Sequence, residues 1–338
     1  MDSNKKRYKV CFLVMICALV IFFFVGMGVG SADISVVDIS KSLINPGDVY
    51  MGRILLSIRL PRIIAAIVLG GALSVSGYLL QIFFGNPIAG PYVLGISSAA
   101  KLFVALSMVF LLGRGVMISS LVMVIAAFIG SIIAMAAVMA LAQKVRNMSL
   151  LVVCGVMIGY ICSAITEFVV TFADDTNIVN LHNWSLGSFS GINMEQVLVS
   201  SVIVIIAVIC TFIFSKPIGA FQLGENYARN MGVNIKHIRI ILILLSSILS
   251  ATVTAFAGPI SFVGIAVPHI MRMAMKTAKP VVMVPGCFLG GAIITLLCDC
   301  IARTAFAPTE ISISAVTSVF LAPVVIYLLV ARREVSRG

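Results

Sequence analysis

The feature that most constrains this chain is a run of about 20 apolar residues that recurs, between short polar segments, from near the N-terminus to about residue 331. A hydrocarbon core about 30 Å thick is crossed by roughly 20 residues of α-helix. It offers no water to free N–H and C=O groups, so open sheets and lipid-exposed loops are excluded. Runs near 10–31, 63–84, 92–112, 116–142, 149–172, 196–214, 238–257, 260–275, 284–306 and 311–331 predict about ten transmembrane helices. The expected fold class is therefore an all-α integral membrane protein, with 1–338 as a single polytopic membrane domain. The chain is 61% hydrophobic and only 10% charged, against about 25% charged in soluble domains. The eighth run is short, and the third carries Lys101.

The net charge of +11 does not describe a nucleic-acid surface, because Lys and Arg sit in small clusters between apolar runs. Placing the N-terminus in the cytoplasm collects most of the 23 basic residues on that side, among them Lys5, Lys6, Arg7, Lys144, Lys216, Arg229, Lys236, Arg272 and Arg332. The positive-inside rule then predicts a multi-pass protein of the cytoplasmic membrane with both termini cytoplasmic. From Val10 to about Gly30 the first run exceeds the roughly 7–15 residues of a signal-peptide core, which predicts a retained first span. Two stretches fall outside, 32–62 and 173–195. The second is an extracytoplasmic loop in which Asn177 to Leu186 suit a short interfacial helix anchored by Trp184.

Catalytic and cofactor signals are missing. No G-x-x-x-x-G-K-[ST], H-E-x-x-H or G-x-S-x-G occurs, so the sequence offers no Walker A ATPase and no zinc-peptidase or serine-hydrolase motif. The eight cysteines lie in or beside apolar runs as small core residues. Cys298 and Cys300 lack the further His or Cys that would complete a metal set. No catalytic residue, metal site or cofactor is expected.

Four strings stand out. Arg59-Leu60-Pro61-Arg62 opens the second span; its arginines either snorkel to headgroups or present two guanidinium forks to carboxylates of an external partner. Gly85 to Ser98, beginning G-N-P-I-A-G-P, is a turn whose prolines and glycines form either a tight reversal or irregular backbone lining a pathway. Leu223 to Gly232, L-G-E-N-Y-A-R-N-M-G, is either a solvated connector or a compact cytoplasmic helix docking a soluble subunit, with Leu223, Tyr227, Ala228 and Met231 at helical spacing. Ala257 to Arg272 is followed by Asp299 and Arg303, four residues apart on one helix and so positioned for an ion pair that also holds Arg303 outward. His269 reads as a packed, hydrogen-bonded residue.

At these strings the chain resembles the FecCD family of ABC importer permeases, which includes vitamin B12, ferric siderophore and haem permeases; the likeness runs from about Met51 to Leu329. The resemblance implies a type II importer permease with ten helices per subunit. Its partners are two copies of a cytoplasmic ABC ATPase, an extracytoplasmic substrate-binding protein and a second permease subunit in a homo- or heterodimer. It further implies that Arg59, Arg62 and Arg303 dock the binding protein. Segment 221–234 would be the coupling helix, through Leu223, Gly224, Glu225, Ala228, Arg229 and Gly232. Asn86, Pro87 and Ile88, with Asn147, Met148 and Ser149, would form the inner gates. Gly90 stands where the family often carries an acid, and Lys101 where it usually has a small or apolar residue. Lys101 is expected to snorkel, to pair with Glu167 or to touch an anionic ligand. The expected cargo is an iron(III)-siderophore, with haem or cobalamin as alternatives. An ion-coupled secondary transporter would need ionisable groups at the midplane, for which only Lys101, Glu167 and Asp299 offer themselves; a membrane enzyme is the third class.

Overall fold

The computed structural model describes residues 2–29, 55–91, 95–112, 120–145, 148–307 and 309–335. Among the described residues every regular element is helical, as a bilayer-embedded backbone requires. In chain order they are α1 (Asp2–Gly28), a π-helical turn (Leu55–Arg59) that runs into α2 (Leu60–Phe84), α3 (Ile96–Leu112), α4 (Ser120–Lys144) and α5 (Met148–Val170). Next come α6 (Asp175–Ser185), α7 (Met194–Ile213), α8 (Ser215–Gln222) and α9 (Glu225–Asn230). The chain ends with α10 (Ile235–Ala257), α11 (Val263–Met275), α12 (Pro280–Thr304) and α13 (Ile313–Val335). Seven of these helices are long and apolar enough to cross a membrane, and shorter apolar helices occupy the third, eighth and tenth expected spans.

Boundaries moved where side chains or backbone override hydropathy. Helix α7 starts early because Asn193 and Gln196 form a reciprocal capping box. Asn234 likewise accepts from the amides of Lys236 and His237 and starts α10. The eighth span is shortened by a break at Gly258 to Phe262, where Gly258 (φ 72°) and Phe262 (φ 63°) both lie at positive φ. The left-handed region is costly for Phe262. The break is stitched from two sides: Ser188 N donates to Ala257 O at 2.8 Å, and Ser314 Oγ donates to Pro259 O at 2.6 Å.

Helix α2 is the axis of the subunit. Its apolar window is 89% buried, whereas that of α1 is 11% buried; α1 therefore shows most of its apolar surface outward, and α2 shows it only to protein. Around α2 pack α12, α10, α11 and α7, while α3, α4 and α5 form a second group joined to it through α10. Glycine sets these spacings. A Cβ on Gly77 would lie 1.8 Å from Gly264 O, and one on Gly291 would lie 2.4 Å from Gly70 O. The helices touch backbone to backbone there, which in membranes replaces a missing hydrophobic drive with close van der Waals contact.

Gly77→Ala should therefore force α2 and α11 apart and cost about 1–3 kcal/mol or more, as overpacking does. Thermal unfolding in detergent should show a clear loss of stability, whereas Gly232→Ala, with nothing near its Cβ, should cost only the strain of its φ of 80°.

Candidate functional site

The sequence strings fall at the two ends of α2, which at 25 residues is about 37 Å long. At its first end, Asp299 is shared by two guanidiniums. Arg62 Nε donates to Asp299 Oδ1 at 3.0 Å, and Arg303 Nε pairs with Asp299 Oδ2 at 3.1 Å. The expected ion pair of Asp299 and Arg303 is present, but it holds Arg303 inward: the Arg303 side chain is 5% exposed and that of Asp299 1%. Arg62 also reaches Glu310, its Nη1 lying 3.0 Å from both carboxylate oxygens. Arg59 and Arg303 cap the end of α1. Arg59 Nη1 donates to Met27 O and Gly28 O, and Arg303 Nη1 to Gly26 O and Val29 O. Two cations thus meet the carbonyl end of a helix dipole. All three arginines are buried in this conformation, each engaged with groups of the subunit itself.

At the other end, α2 stops at Gly85 in the left-handed conformation, and Asn86 Oδ1 accepts from Ile88 N at 3.0 Å to form the turn. Pro87 O is hydrogen-bonded by His269 Nε2 at 2.9 Å, so His269 ties the turn to α11 as a satisfied, buried residue. A Cβ on Gly90 would sit 2.8 Å from the Ile265 side chain, which gives a packing reason for glycine at that position. Asn147 lies outside the described residues, and Met148 and Ser149 open α5. Arg7 Nε donates to Ala274 O at the end of α11, which brings the N-terminal part of α1 to this same end.

Segment 221–234 is not one helix. Helix α8 ends at Gln222, Gly224 at φ 119° breaks the chain, and α9 spans six residues. Glu225 pairs with Arg239 of α10, Arg239 Nε donating to Glu225 Oε1 at 2.9 Å. Ala228, expected on the docking face, is 0% exposed and packs inward; Leu223, Tyr227 and Met231 are the exposed apolar residues. The alanine is small enough to seat α9 against the subunit while the longer chains turn away.

Lys101 is half-buried and Glu167 exposed, and neither joins an ion pair among the described residues. Trp184, the expected interfacial anchor, is partly buried and packs against the cluster that holds Leu181. It borders a cavity of about 520 Å³ beneath α6. Neither that cavity nor the part played by Glu310 was foreseen, although the spacing of Asn177, Asn180 and Asn183 was a readable signal for the first.

Buried helices joined through glycine, a charge cluster at one end and an irregular turn at the other define a multi-pass helical membrane protein. The family model described as the FecCD transport family matches residues 18–331, and the chain belongs to that family. It is 33% identical over 315 residues to the hemin transport system permease protein HmuU of Yersinia pestis, covering 92% of this chain and 94% of that one. With the vitamin B12 import system permease protein BtuC of Salmonella paratyphi A it shares 35% identity over 291 residues, 85% and 87% of the two chains. Among solved structures, an inward-facing metal-chelate-type ABC transporter superposes with a TM-score of 0.84 at 27% identity, covering 96% of this chain and 99% of its own.

Asp299→Asn should leave two buried guanidiniums short of charge and cost about 3–5 kcal/mol, the usual effect of halving a buried pair. Glu310→Gln, at a side chain 44% exposed, should cost at most about 1 kcal/mol. Paired thermal melts of the two variants check the difference.

Proposed function

We propose that this chain is the permease subunit that carries an iron(III)-siderophore across the cytoplasmic membrane, driven by ATP hydrolysis on a separate subunit. The supporting observation is family membership over nearly the whole chain together with an exposed apolar stripe beside the gate end. Leu223, Tyr227 and Met231 are 70%, 48% and 63% exposed on a short element braced by the Glu225–Arg239 pair, a form suited to docking a soluble ATPase. The neighbour of metal-chelate type supports a chelate as cargo; the haem and vitamin B12 relatives favour haem or cobalamin on the same architecture.

In this reading both termini and segment 221–234 face the cytoplasm, and 173–195 faces out. Two copies of the ATPase couple through Leu223 to Gly232, with Ala228 seating the element and its exposed neighbours making the contact. Asn86 to Ile88 and Asn147 to Ser149 gate the inner end, and a second permease subunit completes the pathway. Arg59, Arg62 and Arg303 receive acidic residues of the extracytoplasmic binding protein. Because Arg62 is already held by Glu310, docking reaches it by exchanging one carboxylate for another.

Reconstitution with the ATPase and binding protein in proteoliposomes, supplied in turn with a ferric siderophore, haem and cobalamin, tests the cargo. ATP-dependent uptake of the siderophore is expected, and uptake of haem or cobalamin alone would replace it. Tyr227→Asp or Met231→Asp should insert normally, lose ATPase co-purification and reduce uptake at least tenfold. Full assembly by both variants would reduce the segment to a connector.

A further inference from the structure

At the gate end, α1 and the loop between α11 and α12 gather cations that transport through the subunit does not use. Lys5, Lys6, Arg7 and Lys9 lie in the first turns of α1, and Lys276 and Lys279 bound the loop; neither 5–9 nor 276–279 contains an acid. One side chain joins the two stretches. Arg7 Nε donates to Ala274 O at 3.1 Å, and Cys11 Sγ donates to the same carbonyl at 3.7 Å. Lys276 follows Ala274 by two residues, so its backbone lies within about 7 Å of that contact. Lys276 is held in the left-handed conformation at φ 47°, and Lys279 N donates to Thr277 Oγ1 at 3.3 Å, so the loop presents its lysines from a fixed turn. Lys5, Lys6, Lys9, Lys276 and Lys279 are exposed, and among the described residues none of them enters an ion pair.

The surface of α1 next to these charges is apolar and faces outward. Val10, Leu13 and Val14 are 59%, 63% and 60% exposed. Lys6 precedes Val10 by four residues, and Lys9 likewise precedes Leu13, so each lysine shares a face with an exposed apolar side chain. The opposite side of α1 packs on the protein through Tyr8, Cys11, Phe12 and Met15. One strip of surface thus runs from exposed hydrocarbon into concentrated positive charge. A phospholipid with an anionic headgroup complements it along its whole length, whereas a soluble partner would have to cover the apolar strip as well as the charges. The surface proposed for the ATPase sits elsewhere: α9 packs on α8 and α10, and α1 packs on α12 and α11.

We infer that the gate end of α1, together with the loop 276–279, is a binding site for an anionic phospholipid. Its headgroup lies among Lys6, Lys9, Lys276 and Lys279, and an acyl chain runs along Val10, Leu13 and Val14. Arg7 keeps the two basic stretches together through Ala274 O. Lysine clusters beside a transmembrane helix hold anionic headgroups in this way, each cation adding roughly fivefold in affinity. The site is independent of what the subunit carries.

The whole permease, purified in detergent and stripped of lipid, is titrated by native mass spectrometry with phosphatidylglycerol and with phosphatidylcholine of the same acyl chains. Glycerol 3-phosphate serves as a headgroup without chains. Phosphatidylglycerol should bind tighter by roughly tenfold or more, and the difference should shrink as salt is raised. The double variant K276Q/K279Q should raise its Kd about 25-fold, as should K6Q/K9Q, whereas Lys236→Gln on α10 should change it by less than about twofold. Equal binding of the two lipids, or unchanged affinity in both double variants, overturns the site. Displacement of bound lipid by equimolar glycerol 3-phosphate would make it a phosphate site and overturn the lipid as occupant. Loss of ATPase co-purification in the double variants with phosphatidylglycerol affinity intact would assign the lysines to a protein contact, which also overturns the proposal. Uptake in proteoliposomes reads the cargo separately, so failure of the siderophore reading leaves the lipid site standing.

Discussion

The subunit depends on the backbone contacts of α2. Within a bilayer, apolar side chains gain nothing by leaving lipid for other apolar side chains, so helices associate where they fit closely and where polar groups find partners. Gly77 against Gly264 and Gly70 against Gly291 bring α11 and α12 to α2 at distances that no side chain would allow. Small hydroxyls follow the same surface. Ser76 Oγ donates to Ser246 O at 2.6 Å and so joins α2 to α10. Gln81 Nε2 donates to Ile265 O at 3.1 Å, adding a polar tie to α11 near the gate turn.

With α2 fixed, its two ends acquire opposite characters. At the Arg62 end, charge is concentrated and mutually satisfied: one buried carboxylate serves two guanidiniums, and the carbonyl terminus of α1 absorbs further donors. Removing any one partner would strand the others in a low-dielectric setting. Glu310 differs because it is half-exposed and, among the described residues, pairs only with Arg62, so it is the member of the cluster that water or a partner can reach. At the Gly85 end the order among the described residues comes from backbone groups, a side-chain amide and His269. Such neutral ties are exchangeable at modest cost, which suits a segment proposed to open and close.

The break between α10 and α11 links these ends to the outer face of the second helix group. Gly258 lies so close to Trp184 O, 2.5 Å from where its Cβ would be, that the position of α6 is set by the path of the chain through the break. The loop after α6 returns the contact through Ser188 N and Ala257 O. A helix held by a kinked connection can shift as a unit when the kink changes, and the cavity it covers would change with it.

Hydropathy alone determined that the protein is helical, multi-pass and membrane-embedded, because the bilayer imposes a length and a backbone-pairing rule that any chain must meet. The ordered strings from Arg59 to Arg303 sufficed to recognise the family. Sequence also placed the Asp299–Arg303 pair, since four residues on a helix are neighbours whatever surrounds them. Only the tertiary structure decided which way side chains face. Arg59, Arg62 and Arg303 turn inward because Asp299, Glu310 and the end of α1 arrive from remote parts of the chain. Ala228 is buried and Tyr227 exposed because α9 is only six residues long and rests on one small side chain. The burial of Asn177 becomes visible only in the folded chain, as burial depends on contacts between segments that a linear pattern does not encode.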